Sequence, residues 1–197
     1  MKTNEEKLDW MSSLKRLNLE GDSLLLPPPE TSSEKFEMEL ELLESVGRRV
    51  KPEDKDNIME YNDNVLNQYI HILNQFSLNF DFEELNELSE DIRIIVREEK
   101  KKHNRERPLS MGKTKGVMIN EQYQLYDSPS YPSLHATESM FMSLYLADSF
   151  PLYKNVFLEM ATKISNSRLL SSSNYPTDNL AGQTLAHVLY NKYKEKR

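Results

Sequence analysis

Three short segments of this chain combine residue types that suit phosphoryl chemistry. Lys100 is followed after six residues by Arg107-Pro108. Further on stands Tyr131-Pro132-Ser133-Leu134-His135. Last come Ser167-Arg168, then Asn174 after five residues, then Asp178 four positions later. An arginine presents a planar fork that matches two phosphate oxygens, and a lysine adds a point charge. Ser133-Leu134-His135 follows a proline and opens an apolar-periodic run, so a helix N-terminus is expected there. Its free N–H groups and the positive end of the dipole bind anions without special side chains. The Ser133 hydroxyl adds a donor. His135 can protonate a leaving oxygen, an assistance typically worth ~10²–10⁴ in rate. Asp178 stands where it could hold the Nδ1–H of a histidine at 174 and leave Nε2 to attack phosphorus. Position 174 is asparagine, a poor nucleophile.

Read singly, each segment has an ordinary explanation: solvated cations at a helix end, Ser133 as an N-cap, Asn174 in a turn, Asp178 as another N-cap. What favours chemistry is that all three occur in one chain of 197 residues.

These residues need a scaffold, and the periodicity predicts a helical one. The chain has only five glycines, with long charged and apolar-periodic segments. Helices are expected from Ser33 to about Val46 with Gly47 as a left-handed cap, from Pro52 to Phe76, and from Phe82 to His103. Three more are expected over His135–Ser149, Leu152–Arg168 and Asp178–Glu195. Leu180, Leu185, Val188, Leu189 and Tyr193 are assigned to the inner side of the last. Residues 108 to 132 carry three prolines and two glycines and read as one long loop. Residues 1–33 end in Leu24-Leu25-Leu26-Pro27-Pro28-Pro29 and read as an irregular lead-in; residues 34–197 form the helical domain.

Composition limits the partners. A formal net charge of -7 repels nucleic acid and anionic membranes at long range. No run of about 18 apolar residues is present to span a membrane. With no cysteine there is no disulfide framework and no thiolate metal site. The start carries no apolar leader, so the chain as written is expected in the cytoplasm, or in the periplasm if a leader has been removed. Neither metal nor cofactor is expected, and the composition leaves room for a homo-oligomer.

The three segments resemble the signature of the phosphatidic acid phosphatase type 2 (PAP2) and haloperoxidase superfamily: Lys-x6-Arg-Pro, Pro-Ser-Gly-His, and Ser-Arg-x5-His-x3-Asp. Residues 24 to 39, the run Arg105-x-Arg107-Pro108 and Tyr131-Pro132-Ser133 are similar to bacterial class A non-specific acid phosphatases. The resemblance implies an all-α, single-domain helical bundle and metal-independent hydrolysis of phosphate monoesters, nucleotides included, through a phosphohistidine. Carried over, Lys100, Arg107 and Arg168 bind phosphate oxygens with Ser133 and the Leu134 N–H. His135 is the general acid, and Asp178 orients the group at 174. Two positions depart from the pattern. Leu134 replaces glycine, which is expected to narrow the pocket or alter the turn. Asn174 replaces the nucleophile, so the chain as written is expected to be inactive. A non-catalytic phosphate or nucleotide binder on the same fold is the alternative. A vanadate-dependent peroxidase shares the anion site but also needs a histidine at 174. A lipid phosphatase is disfavoured by the absence of apolar spans.

Overall fold

The computed structural model describes residues 23–62, 64–119 and 127–195. Positions 1–22 of the expected lead-in lie outside the described residues. From Ser23 to Ser33 the chain is irregular, as expected. Leu25 is buried and Leu24 packs on the core, while Leu26 points into solvent. The Leu26 carbonyl accepts from the Tyr131 hydroxyl at 2.6 Å, which ties the lead-in to the segment before Ser133.

Helix α1 (Glu34–Gly47) is capped by Ser33, whose hydroxyl accepts from the Phe36 N–H at 3.2 Å. Phe36, Leu40 and Leu43 recur at helical spacing and are buried, whereas Met38 and Leu42 face solvent. Gly47 is the last helical residue, not the left-handed cap expected of it. Arg48 follows in the right-handed region; its N–H bonds the Glu44 carbonyl and the Arg49 N–H bonds the Val46 carbonyl, so the end closes without a left-handed residue.

The single helix expected over 52–76 is two: α2 (Pro52–Asn62) and α3 (Val65–Gln75). Asn64 is extended, and its side chain accepts from the Leu66 N–H at 2.9 Å, starting a new helix where periodicity alone reads straight through. Helix α4 (Phe82–His103) is capped by Asp81 and closed by Asn104 at φ 45°, after four basic residues that suit the negative end of its dipole. The expected loop over 108–132 contains a helix, α5 (Pro108–Lys115). Pro108 occupies the first turn, where a missing N–H costs nothing, and Gly116 ends the helix at φ 70°.

Helix α6 (Leu134–Ser149) carries the His135 segment. A 3₁₀ turn (Pro151–Tyr153) leads into α7 (Lys154–Leu170), and α8 (Pro176–Glu195) completes the described chain. Leu180 lies on the solvent side of α8 and not the inner side, because Ala181, Leu185 and Leu189 supply its buried stripe. No strand occurs among the described residues, and no described helix is long and apolar enough to cross a membrane.

Helix α6 is the centre of the bundle. It packs most extensively on α7 and α8 and also meets α4 and α3. The main core joins Tyr69, Phe141, Phe157, Ile164, Leu185 and Leu189. A smaller cluster of Phe36, Leu40, Leu43, Met111, Ile119 and Tyr175 lies under α1 and α5. Helices α6 and α8 approach very closely at Gly182. A Cβ there would come within 2.6 Å of the Ser133 carbonyl and 3.0 Å of Thr137 Oγ1. Only glycine permits that crossing, and it brings the start of α8 against the start of α6.

Glu138 on α6 is 1% exposed and accepts from Ser89 at 2.6 Å, with Arg93 at 3.4 Å. Burial pushes its carboxyl above the ordinary range, against the opposing pull of Arg93 and Ser89. The folded state therefore holds the proton to higher pH than the unfolded chain. Stability is lost as pH rises from the unfolded pKa through the folded one. Glu138→Gln keeps an acceptor for Ser89 and removes the ionisation. Its Tm is expected to exceed the parent's at neutral pH and to converge with it below pH 4. Parallel Tm–pH curves would show that Glu138 does not titrate this way.

Candidate active site

The site forms where the end of α4, the 128–133 segment, the start of α6, the 171–175 turn and the start of α8 meet. Its centre is the Ser130 carbonyl. Lys100 Nζ donates to it at 3.1 Å, and Asn174 Nδ2 donates to it at 2.8 Å. Lys100 also donates to the Pro129 carbonyl. Residues 74 positions apart in sequence thus share one acceptor. The Ser130 N–H in turn bonds the Arg105 carbonyl at 2.8 Å, which fixes this segment against the exit of α4.

Asn174 is buried and links two charges of opposite sign. Arg168 Nε donates to its Oδ1 at 3.4 Å, and its Nδ2 reaches Asp178 Oδ2 at 3.3 Å. Arg168, in the last turn of α7, is the largest fully buried side chain among the described residues. Asp178 lies in the first turn of α8 and is wholly buried. It accepts from the Tyr175 N–H at 2.9 Å besides Asn174. Since α8 begins at Pro176, two residues earlier than expected, Asp178 sits inside the helix. The turn before it is tight: Ser172 is left-handed at φ 54°, and its buried hydroxyl has no partner. Arg107, the N-cap of α5, donates to the Ser173 carbonyl at 2.7 Å and to the Ser128 carbonyl at 2.8 Å.

Ser133 is the N-cap of α6. Its hydroxyl accepts from the Ala136 N–H at 3.4 Å, and its own N–H donates to the Asp178 carbonyl at 3.0 Å. The backbone N–H of Ser133 is thus spent on α8, while its hydroxyl proton remains to be donated. Leu134 packs its side chain against the main core and is half-buried. His135, the second residue of α6, is also half-buried. Of the residues singled out in the sequence, Lys100, Arg107, Ser133, Arg168, Asn174 and Asp178 are joined by these hydrogen bonds and by the peptide bond between Ser173 and Asn174. Leu134 and His135 stand beside them in the first turn of α6.

Among the described residues, Lys100, Arg107 and Arg168 surround the carboxylate of Asp178. Burial holds the Lys100 ammonium well below its usual pKa; Arg107 and Arg168 add to the effect, and Asp178 partly offsets it. Burial also pushes the Tyr131 hydroxyl up to about 12, with Asp178 contributing. Guanidinium groups beside the N-terminus of a helix form a setting that can hold an oxyanion.

Reading the sequence for roles missed four contributors. Arg105 donates to Asp178 at 2.6 Å, to Glu39 at 2.6 Å and to Thr177 at 2.8 Å. Glu39 on α1 also accepts from the Thr177 N–H at 2.8 Å. The fourth is the carbonyl pair of Pro129 and Ser130. Only Arg105 had a signal, its place two residues before Arg107, and that signal assigned no role.

Two solved structures share this architecture. A bacterial vanadium-dependent iodoperoxidase aligns with a TM-score of 0.68 and 17% identity, covering 87% of this chain and 52% of its own. A transmembrane PAP2-type phosphatidylglycerolphosphate phosphatase from Bacillus subtilis aligns with a TM-score of 0.62 and 15% identity, covering 84% and 88%. The fold is that of the PAP2 phosphatases and vanadium haloperoxidases. The all-α expectation holds, and the chain spans about half the length of the iodoperoxidase. No family model and no curated protein matches the sequence.

The vanadate that such a fold implies does not fit this donor set as a covalently held cofactor. Position 174 offers an amide, whose oxygen faces Arg168 and whose nitrogen faces Asp178 and Ser130. An amide has no imidazole lone pair to give to vanadium. No cluster of three or more His, Asp or Glu suited to a metal ion occurs among the described residues.

Proposed function

We propose that this chain carries the phosphate site of a metal-independent acid phosphatase with Asn174 in the nucleophile's place. As it stands it binds phosphate monoesters and turns them over very slowly. The observation that carries the reading is the single hydrogen-bonded path from Lys100 through the Ser130 carbonyl and Asn174 to Arg168 and Asp178. In this reading Lys100, Arg107 and Arg168 grip the phosphoryl oxygens, with Ser133 and the N–H groups opening α6. His135 protonates the leaving oxygen. The path ends at a carboxylate placed to hold a ring N–H at position 174, where the amide nitrogen now donates.

A second reading, a natural phosphate or nucleotide receptor, draws on the same amide. Asn174 uses its oxygen and its nitrogen to bridge Arg168, Asp178 and Ser130, which integrates it into the site. Both readings require anion binding. Titration calorimetry with phosphate, vanadate, sulfate and nucleoside monophosphates is expected to give saturable binding. Burial holds Lys100 below its usual pKa, and a bound anion is expected to raise it, so binding takes up a proton at pH values between the two. Sulfate does not titrate near neutrality, so its binding heat is expected to vary with the ionisation enthalpy of the buffer, and Lys100→Met is expected to remove that dependence. A folded protein that binds none of these anions has no such site.

A further inference from the structure

We propose that Arg105, anchored by Glu39, is a positioning residue that fixes Asp178 and, through it, the side chain at position 174. The inference rests on the phosphatase reading and adds to it a role for two residues outside the three signature segments.

Asp178 divides its oxygens between two tasks. Oδ2 faces the site and takes the Asn174 and Tyr175 donors, at 3.3 and 2.9 Å. Oδ1 faces away and takes Arg105 at 2.6 Å. A carboxylate held through Oδ2 alone, by the Asn174 amide and the Tyr175 N–H, could still turn about its Cβ–Cγ bond. A guanidinium on the other oxygen stops that rotation and leaves Oδ2 aimed at position 174. Arg105 is itself immobilised. Its other terminal nitrogen donates to Glu39 at 2.6 Å, and its Cζ lies 3.8 Å from the centre of the Tyr175 ring. Thr177 closes the circuit, donating its hydroxyl to Glu39 at 2.6 Å while accepting from Arg105 at 2.8 Å.

Stability alone is a poor explanation for this arrangement. The Arg105, Glu39 and Asp178 side chains are 5%, 6% and 0% exposed, so three charges have left water. Burying such ions costs about as much as their attraction returns, and replacing them with apolar groups is often neutral or stabilising. Arg105 even leaves its Nε buried without a partner, so its placement serves the two carboxylates ahead of its own hydrogen bonding. Burial opposes its charge, but Asp178 and Glu39 together hold its pKa above the usual value. The cation beside Asp178 is therefore permanent across the working pH range. Glu39 comes from α1 and Asp178 from α8, so the network also carries the geometry of α1 to the site.

The test is a double-mutant cycle in the Asn174→His protein, read as kcat for p-nitrophenyl phosphate. Arg105→Met is expected to lower kcat about 10–100-fold, the usual cost of losing an outer partner of a functional ligand. In the Asp178→Asn background the same change is expected to cost less than about 2-fold, because the group it positions has gone. Arg105→Lys is expected to recover part of the loss, and Glu39→Gln, which keeps its size, to give a smaller loss of the same kind. Equal losses in both Asp178 backgrounds would mean that Arg105 only supports the fold and would overturn the proposal. A second measurement uses the chain as it stands. The Asn174 side-chain amide resonances are expected to shift and its protons to exchange faster in Arg105→Met and Glu39→Gln, with backbone amides of the α3 core unchanged. An Asn174 amide indifferent to both substitutions would overturn the positioning role. If Asn174→His proves inert while the amide responds, the phosphatase reading fails and the positioning role stands.

Discussion

Asn174→His is expected to convert this chain into an active phosphatase, with kcat rising on the order of 10⁶-fold, the scale of loss when a hydrolase is deprived of its covalent nucleophile. The argument is local. In the present site the Asn174 amide nitrogen donates to Asp178 Oδ2 and to the Ser130 carbonyl. An imidazole at the same position would place its Nδ1–H toward those acceptors and its Nε2 toward the cations. Asp178 would then select the tautomer and stabilise the ring's positive charge, as the carboxylate of a catalytic triad does. The oxygens of phosphate would lie among Lys100, Arg107 and Arg168, two of which are buried, where an oriented charge is worth more than in water. The measurement is release of p-nitrophenol from its phosphate ester with chelator present, beside trapping of an acid-labile phosphoenzyme. The parent is expected to form none. Adding Asp178→Asn to the restored enzyme is expected to reduce kcat again, on the order of 10⁴-fold. A folded Asn174→His protein that stays inert across a broad panel of monoesters, while still binding phosphate, would leave the receptor reading in possession of the site.

Arg168→Ala in the Asn174→His background is expected to lower kcat/KM by ~10²–10³, or ~2–4 kcal/mol of transition-state stabilisation, the scale for losing one oriented donor where charge develops. Arg168 is 1% exposed at the end of α7, so its guanidinium is held by its surroundings before any anion arrives. Its Nε bond to Asn174 Oδ1 puts it beside position 174. Arg168→Lys keeps the charge but loses the fork, and is expected to fall between the two. Each variant's phosphate affinity, measured alongside, separates the loss of binding from the loss of catalysis. A kcat/KM unchanged by Arg168→Ala would remove Arg168 from the site.

The two predictions probe opposite ends of one amide, and they differ in how far the sequence foresaw the geometry. The spacing of Arg168, Asn174 and Asp178 was legible because it is local. A helix end, a five-residue turn and a helix start can bring such residues to one point with little help from the rest of the chain. The approach of Lys100 was expected only from its pairing with Arg107, and the shared Ser130 carbonyl lies in a segment whose sequence announces nothing.

Taken by itself, the sequence determined the helical class, helix starts near Ser33 and Phe82, and the residue types offered for an anion site, with asparagine at position 174. These rest on side-chain chemistry and short-range periodicity, which are written one residue at a time. Only the tertiary structure decided the rest. The break at Asn64 came from one side chain capping a new helix, which overrode an apolar period that runs straight through. The α5 helix came from Pro108 and Gly116 acting as its two ends and not as loop residues. The Glu39–Arg105–Asp178 network joins positions 39, 105 and 178. No periodicity links those positions; they meet because burying α1 and α8 against the rest of the bundle leaves an arginine between two carboxylates. A buried charge finds its partner through packing, and packing is a property of the whole chain.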